Sequence, residues 1–312
     1  MHSFQITESS SNILLTEIAD FEESIDSNYV SENYTFTRNS WRKDTFNKIS
    51  SEIKNEFSRF IYKEIKDVVN NTQVLNAIAQ ANVNRQDFKN FVVQHYFSAD
   101  WFIELLMHGE TLVCELGHKE LADEFRYNYE DEMGIANGVQ VFENSHESWR
   151  QDYCQAIGID LKSEKPMDST IGNHRDPLKK LIVEKNGYFL AGMLAATEIY
   201  LVKEFQKIQL GRDKLFSEVF IITEKCSPEV VIKKKKNRKY IDDHIKHDAL
   251  HYADILGPAL TIVEKAKANN GIVNGYNVAE EIKAGIQAVT RAKEGFYVGL
   301  KDLILQGKVS KY

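Results

Sequence analysis

The segment that decides the fold runs from Gly187 to Val202 and reads GYFLAGMLAATEIYLV. Apolar residues fill nearly every position, without the alternation of a half-buried strand, which is typical of a helix that is buried on all sides. The segment contains Thr197 and Glu198, and it is too short to span a lipid bilayer comfortably. We therefore predict a central core helix around which the rest of a globular protein packs.

Helical periodicity recurs on both sides of this segment. Apolar residues at spacings of three and four indicate further helices, and four prolines in 312 residues leave them long and uninterrupted. We predict helices over residues 41–69, 87–116, 119–133, 139–157, 178 or 188 to 210, 240–268 and 278–305. Gly134 is a predicted C-cap, residues 135–138 a loop, residues 161–175 a polar connector, and Pro258 a kink.

These elements predict an all-α bundle of about seven to nine helices. The bundle forms one domain at residues 41–312, preceded by a partly ordered, polar N-terminal arm at residues 1–40. A short helix around residues 13–25 of the arm is the only structure that we expect there.

Composition narrows the class of protein. The chain is 43% hydrophobic and 27% charged, as in an ordinary globular protein with a sizeable core. A net charge of −7 does not favour binding to nucleic acid. The three cysteines form no CxxC pair, and the N-terminus lacks the pattern of a signal peptide. We expect a cytoplasmic protein with no membrane partner.

The clearest chemical pattern is His244-Ile-Lys-His247-Asp248-Ala-Leu-His251. Positions i, i+4 and i+7 lie within roughly 60° of one another around an α-helix, so His244, Asp248 and His251 share one face. Imidazole with carboxylate suits iron, manganese or zinc better than calcium or magnesium. The spacing alone leaves two alternatives: a solvated polar face, or a second register made of His247, His251 and Asp254.

Glu198 favours a metal site over a wet surface. Its neighbours in the core helix are almost all apolar, and a carboxylate in such a setting is costly unless it is paired, hydrogen-bonded or bound to a metal ion. An arginine partner or a raised pKa would be the alternative explanation.

Two further acids compete as partners of His146. Glu143 and His146 form Glu-x-x-His, the i, i+3 unit of di-iron carboxylate bundles. Glu132, in Asn128-Tyr-Glu-Asp-Glu132-Met-Gly134, lies near a predicted helix end beside the loop. The residues alone do not decide between Glu132 and Glu143.

The lysine-rich segment at residues 233–239 has no clear role in this pattern. It can be interpreted as a nuclear signal or an anion-binding patch, but a solvated loop is the simpler explanation.

Taken in order, these features resemble the heme-oxygenase-like di-iron oxidases, relatives of the thiaminase-like and heme oxygenase folds. The resemblance covers roughly residues 45 to 306. It rests on Asn-x-x-(Asp/Glu)-Glu-x-Gly at residues 128–134, His146 in NSHESW, Glu198, and His-x3-Asp-x2-His at residues 244–251. It implies that His244, Asp248 and His251 form the metal-binding register, and not His247, His251 and Asp254. It also implies two Fe(II) ions, held by His146, Glu198, His244, Asp248, His251 and either Glu132 or Glu143.

The resemblance also implies a function. Such enzymes use O2 for N-oxygenation, desaturation or oxidative C–C cleavage of small amino-acid-, amine- or fatty-acid-derived substrates, and a homodimer is a common assembly among them. Alternative hypotheses are a cofactor-free thiaminase-like hydrolase, which needs a nucleophilic cysteine, a heme oxygenase with one proximal histidine, and a non-enzymatic helical binding module.

The chain departs from the family pattern in two places. The stretch from Glu198 to His244 is longer than usual, with the lysine-rich segment as the apparent insertion, and the loop between Gly134 and His146 is extended.

Overall fold

The structure, a computed structural model, describes residues 49–305, and helices account for most of them. In chain order the helices are α1 (Ser51–Asn71), α2 (Gln73–Ala79), α3 (Arg85–Ser98), α4 (Phe102–Glu115), α5 (Lys119–Met133), α6 (His146–Ala156), α7 (Asp168–Thr170), α8 (Asp176–Glu184), α9 (Gly187–Leu215), α10 (Ser217–Phe220), α11 (Pro228–Ala266) and α12 (Val278–Leu305). A π-helical segment, Ile171–Arg175, joins α7 to α8. The predicted all-α class is confirmed, with ten helices of seven or more residues in the described part of the chain.

Two short antiparallel hairpins interrupt the helices. Strand β1 (Ile135–Ala136) pairs with β2 (Val139–Gln140), and β3 (Ile272–Val273) pairs with β4 (Tyr276–Asn277). Short 3-10 helices follow β2 at Phe142–Asn144 and precede β3 at Lys267–Asn269.

Helix α9 is the central element, as its apolar sequence predicts. It packs most extensively against α11 and α12, and also against α2 and α4. The backbones of α9 and α12 touch, since a Cβ atom at Gly192 would lie 2.0 Å from the Ile282 carbonyl oxygen. The reciprocal holds at Gly285, where a Cβ atom would lie 2.0 Å from the Phe189 carbonyl oxygen. Only glycine at these two positions permits this close approach.

Several predicted boundaries are wrong for local reasons. The helix predicted over residues 87–116 is two helices, α3 and α4, because the chain turns at residues 99–101. The helix predicted from residue 139 begins only at His146, because residues 139–144 are used for β2 and a 3-10 turn. The predicted polar connector at 161–175 becomes helical from Asp168.

The lysine-rich segment is not a loop or an insertion between helices. It lies inside α11, which begins at Pro228 with Ser227 as its N-cap and continues through the predicted kink at Pro258. Lysine is a good helix former, and Pro at the first helical position favours this start.

The predicted N-terminal arm, including its short helix, lies outside the described residues. Buried hydrophobic side chains from α1 to α12 form one continuous core within residues 49–305. In the same range, the helices are either too short or too polar to cross a lipid bilayer.

Candidate metal centre

The first half of the centre brings together Glu132, His146 and His244. Each offers one ligand atom, and these three atoms all lie within 4.8 Å of one another. Glu132 comes from the last turn of α5, His146 is the first residue of α6, and His244 lies in α11. Three separate helices therefore supply the three side chains.

Glycine at position 134 allows α5 and α6 to meet at this point. Gly134 caps α5 in a left-handed conformation with φ of +67°. A Cβ atom there would lie 2.6 Å from both the Ser145 nitrogen and the Val141 oxygen. The Ser145 side chain then caps α6 by accepting from the Ser148 N–H. The chain thus folds back tightly enough to place His146 beside Glu132.

The second half brings together Glu198, Asp248 and His251, again with ligand atoms within 4.8 Å of one another. Glu198 lies in the central helix α9, and Asp248 and His251 lie one turn apart on α11. Glu198 and Asp248 are each only 2% exposed. Helix α11 therefore serves both halves. His244 belongs to the first half, and Asp248 and His251 belong to the second.

Two histidines have partners that orient their rings. His244 Nδ1 lies 2.7 Å from the Tyr240 carbonyl oxygen, so this nitrogen donates and leaves Nε2 as the free ligand atom. His251 Nε2 lies 3.4 Å from Asp131 Oδ2, and its Nδ1 lies 3.6 Å from Glu198 Oε2. A backbone carbonyl or carboxylate behind the imidazole is the usual second contact of a metal-ligating histidine.

Electrostatics in the first half favour an ion pair between Glu132 and His146. Burial opposes it, but the imidazoles of His146 and His244 hold the pKa of Glu132 at about 2. The pKa of His146 is raised by Glu132 against the effect of burial. Burial and the neighbouring His146 lower the pKa of His244 to about 3, so His244 is neutral at physiological pH. A neutral imidazole is the form that binds a metal ion.

The second half holds more negative charge than the protein alone can balance. Burial and the nearby Glu198 raise the pKa of Asp248 well above its ordinary value, and burial also raises the pKa of Glu198. Asp248 Oδ2 is buried and has no hydrogen-bond partner among the described residues. A dication between these carboxylates would satisfy that oxygen and replace the bound protons. The residues present therefore fit a metal ion.

The structure separates the competing ligand candidates. Glu143 is exposed in the 3-10 helix Phe142–Asn144 and belongs to neither group; its carbonyl accepts a hydrogen bond from Trp149. The Glu-x-x-His unit is not formed because α6 starts only at His146. The side chain of His247 is 37% exposed and pairs with Asp243 at 3.1 Å, so the first register, not the second, faces inward.

Sequence reasoning missed Asp131, Asp243 and Tyr240. Asp131 backs His251, Asp243 lies 3.9 Å from His146 Nε2, and Tyr240 holds His244 through its carbonyl. Asp131 and Asp243 each precede a predicted ligand directly in the sequence. Tyr240 lies one helical turn before His244, and this i, i+4 spacing could have indicated the contact between them.

A small cavity lies next to Phe205 and Tyr240, whose rings contact His244. It is lined by Arg150, Tyr153, Phe205 and Tyr240 among others, and its volume is about 10 Å³. That is room for one water molecule. The Tyr153 hydroxyl and Arg150 Nε are buried there without a hydrogen-bond partner in the described structure.

Comparisons with known proteins support the fold. No protein-family model matches the chain, and no curated protein matches it by sequence. The structure is similar to that of a CADD-like protein of unknown function from Nostoc punctiforme, with a TM-score of 0.56 and 15% identity over 80% of this chain and 99% of that one. It is also similar to a TenA homolog from Pseudomonas syringae, with a TM-score of 0.57 and 13% identity over 83% of this chain and 94% of that one.

These likenesses show the fold alone. The chain has the heme-oxygenase-like, TenA-type helical fold, as the sequence resemblance predicted.

Proposed function

We propose that the protein is a non-heme di-iron oxidase or oxygenase. The observation that carries the proposal is the pairing of two buried three-residue groups, which together offer three imidazoles and three carboxylates. Such a donor set suits iron and manganese. His244 of one group and Asp248 of the other lie one turn apart on α11, so the two groups are neighbours, as a two-metal site requires.

Each side chain has a definite task in this proposal. Glu132, His146 and His244 would hold one ion, and Glu198, Asp248 and His251 the other. Asp131 and the Tyr240 carbonyl keep two of the imidazoles in their ligating orientation. The iron(II) ions, when bound, supply the activation of O2 and the redox chemistry.

The surrounding side chains keep the centre dry. Phe205 and Tyr240 pack their rings against His244 at 4.8 and 4.6 Å between centroids. Exclusion of water protects a reactive intermediate from side reactions. The proposed substrate is a small amino-acid-, amine- or fatty-acid-derived molecule.

A thiaminase-like hydrolase is less well supported. The cysteine near the centre is Cys154, which lines the cavity next to Phe205 and Tyr240. Burial raises the pKa of its thiol to about 12, so it carries almost no thiolate at neutral pH and is a poor nucleophile. A purely structural binding module would leave Asp248 Oδ2 buried without a hydrogen-bond partner among the described residues, which is costly.

The test is metal stoichiometry under anaerobic conditions. We expect the purified chain to bind two Fe(II) per molecule, and His244→Ala and His251→Ala each to lose at least one. His247→Ala is the matched control, because it removes an imidazole from the same helix outside the two groups, and it should keep both ions. Equal iron content in all four proteins would refute the proposal.

Oxygen consumption tests the redox part separately. The iron-loaded protein should consume O2 faster with one substrate class from a panel of amino acids, amines and fatty acids. Two bound ions with O2 uptake that no member of the panel accelerates would contradict the proposed substrate range.

A further inference from the structure

The first half of helix α11 presents an exposed basic face. Ile232, Lys235, Lys236 and Lys239 follow the i, i+3, i+4, i+7 spacing of one helical face, and all four are exposed. Ile232 is 68% exposed at the N-terminal end of this face. We call these four residues the basic face. It spans about two helical turns, or roughly 10 Å.

The basic face lies directly over the wall of the candidate metal centre. Lys239 Nζ lies 3.6 Å from the centre of the Trp149 ring. The Trp149 ring in turn lies 4.9 Å, between centroids, from the imidazole of His146. Two consecutive ring contacts therefore connect an exposed lysine to a proposed iron ligand.

Charge on this surface differs in sign from the chain as a whole. The protein carries a net charge of −7, yet the basic face gathers three lysines within two turns. Asp152 and Glu143 are acids at its border; Asp152 pairs with Lys236 at 3.0 Å, and Glu143 is next to Trp149. An exposed apolar residue beside a row of like charges suits a weak, electrostatically steered protein encounter.

We propose that the basic face is the docking surface for a small acidic one-electron carrier protein, a proposal that rests on the proposed di-iron function. Each encounter transfers one electron: the carrier is oxidised, the metal centre is reduced, and no covalent bond forms or breaks. Two encounters restore a centre that has given two electrons to O2. Trp149 is the side chain through which the carrier comes nearest to the centre.

Other polyanions fit the surface less well. A nucleic acid or an anionic membrane would meet the repulsion of a chain with net charge −7 beyond this short face. Neither would use the exposed Ile232 or the ring contacts that lead inward. A compact acidic protein needs only the small area that the basic face provides.

The test begins with binding to the metal-free protein. The probe is an acidic plant-type [2Fe–2S] ferredoxin, titrated calorimetrically at 20 and 200 mM NaCl. We expect micromolar binding at low salt, weakened at least about tenfold at high salt. The variant K235E/K236E/K239E should lose binding. The control K63E/K162E/K301E changes three exposed lysines elsewhere by the same total charge and should bind within about threefold of the unchanged protein.

A second measurement tests electron entry. Reduced ferredoxin should reduce the iron-loaded, oxidised protein at least about tenfold faster than it reduces K235E/K236E/K239E, whereas dithionite should reduce both at the same rate. Equal rates with ferredoxin would overturn the proposal. Tighter binding of a DNA duplex or of phosphatidylserine vesicles than of ferredoxin, lost in the same variant, would overturn it as well.

The two proposals fail in different ways. If the protein binds iron but not ferredoxin, the proposed docking surface is refuted and the proposed di-iron function stands. If the protein binds ferredoxin but takes up no iron, the proposed di-iron function is refuted. The electron-entry role of the basic face is then refuted as well.

Discussion

His146 Nδ1 lies 2.8 Å from Glu132 Oε1, although a hairpin and a 3-10 turn separate the two residues along the chain. This contact, and not the sequence motif at Glu143, joins α5 to α6 at the candidate centre. We therefore expect Glu132→Ala to lower the affinity for iron by at least about tenfold. Anaerobic titration with Fe(II), followed by metal analysis, measures it.

The matched control for Glu132 is Glu143→Ala. Glu143 is exposed and touches neither group of ligands, so its removal should leave iron content and affinity unchanged. A loss with Glu143→Ala that equals the loss with Glu132→Ala would mean that the hairpin adopts a different position when metal binds.

Gly134→Ala should damage both stability and the centre. The new methyl group would meet backbone atoms at 2.6 Å, in a left-handed conformation that alanine disfavours. The two effects together predict a loss of about 2–5 kcal/mol in the free energy of unfolding. Urea denaturation measures the loss, and iron titration should show weaker binding because His146 moves away from Glu132.

Gly138→Ala provides the comparison within the same hairpin. Gly138 also has a positive φ, of +76°, but no heavy atom lies within 4 Å of the position that the new methyl group would occupy. Only the conformational cost of about 1–2 kcal/mol applies, and iron binding should be unchanged. Equal losses at the two positions would show that the contacts of Gly134 are unimportant.

Glu204→Gln should destabilise the fold away from the metal centre. Glu204 is fully buried; Lys293 Nζ lies 2.8 Å from its Oε2, and the Tyr297 hydroxyl donates to its Oε1. Removal of the charge leaves the Lys293 ammonium buried without its counter-ion, at a cost of about 3–5 kcal/mol. Urea denaturation measures this, and Glu204→Gln combined with Lys293→Met should recover much of the loss.

The same carboxylate should make stability depend on pH in acid. Burial opposes ionisation, but Lys293 and His95 hold the pKa of Glu204 well below its ordinary value of 4.5. Between these two values the unfolded chain binds more protons than the folded protein, so stability rises with pH. The contribution is complete above about pH 4.5 and is lost as the pH falls towards the folded-state pKa.

Urea midpoints between pH 3 and pH 6 should therefore fall less steeply with acidity for Glu204→Gln than for the unchanged protein. Glu164→Gln, at an exposed position, should retain the original slope. Identical slopes in all three proteins would show that folding does not lower the pKa of Glu204.

The contact between α9 and α12 predicts a large effect of a single methyl group. Gly192→Ala and Gly285→Ala would each place a Cβ atom 2.0 Å from a backbone oxygen of the other helix. We expect losses of about 1–3 kcal/mol or more. Gly172→Ala, where no heavy atom lies within 4 Å, should be nearly neutral; thermal unfolding compares the three.

The central helices and the face of His244, Asp248 and His251 could be predicted because both depend on local sequence. The apolar run around Glu198 indicates burial directly, and helical spacing places the three α11 side chains on one side. Glu132 could not be chosen over Glu143 in this way. Its position depends on the positive φ of Gly134 and on the backbone contacts of the hairpin, which periodicity does not encode.

The lysine-rich part of α11 escaped prediction for a different reason. Its side chains are almost all solvated, so they lack the apolar spacing on which helix prediction relies. Asp131 and Tyr240 escaped because they act on histidines through contacts across or along helices, and a single sequence gives no measure of such contacts.

The division of the proposed ligands among four helices bears on how the protein folds. Glu132, His146 and Glu198 reach the centre only after long stretches of chain have closed into loops, which is slow and entropically costly. Asp248 and His251, which are proposed to hold the same ion, need only one helix, which forms locally and fast. A metal ion captured first by α11 would therefore give the remaining helices a fixed point on which to assemble, and the rate of refolding would depend on metal concentration.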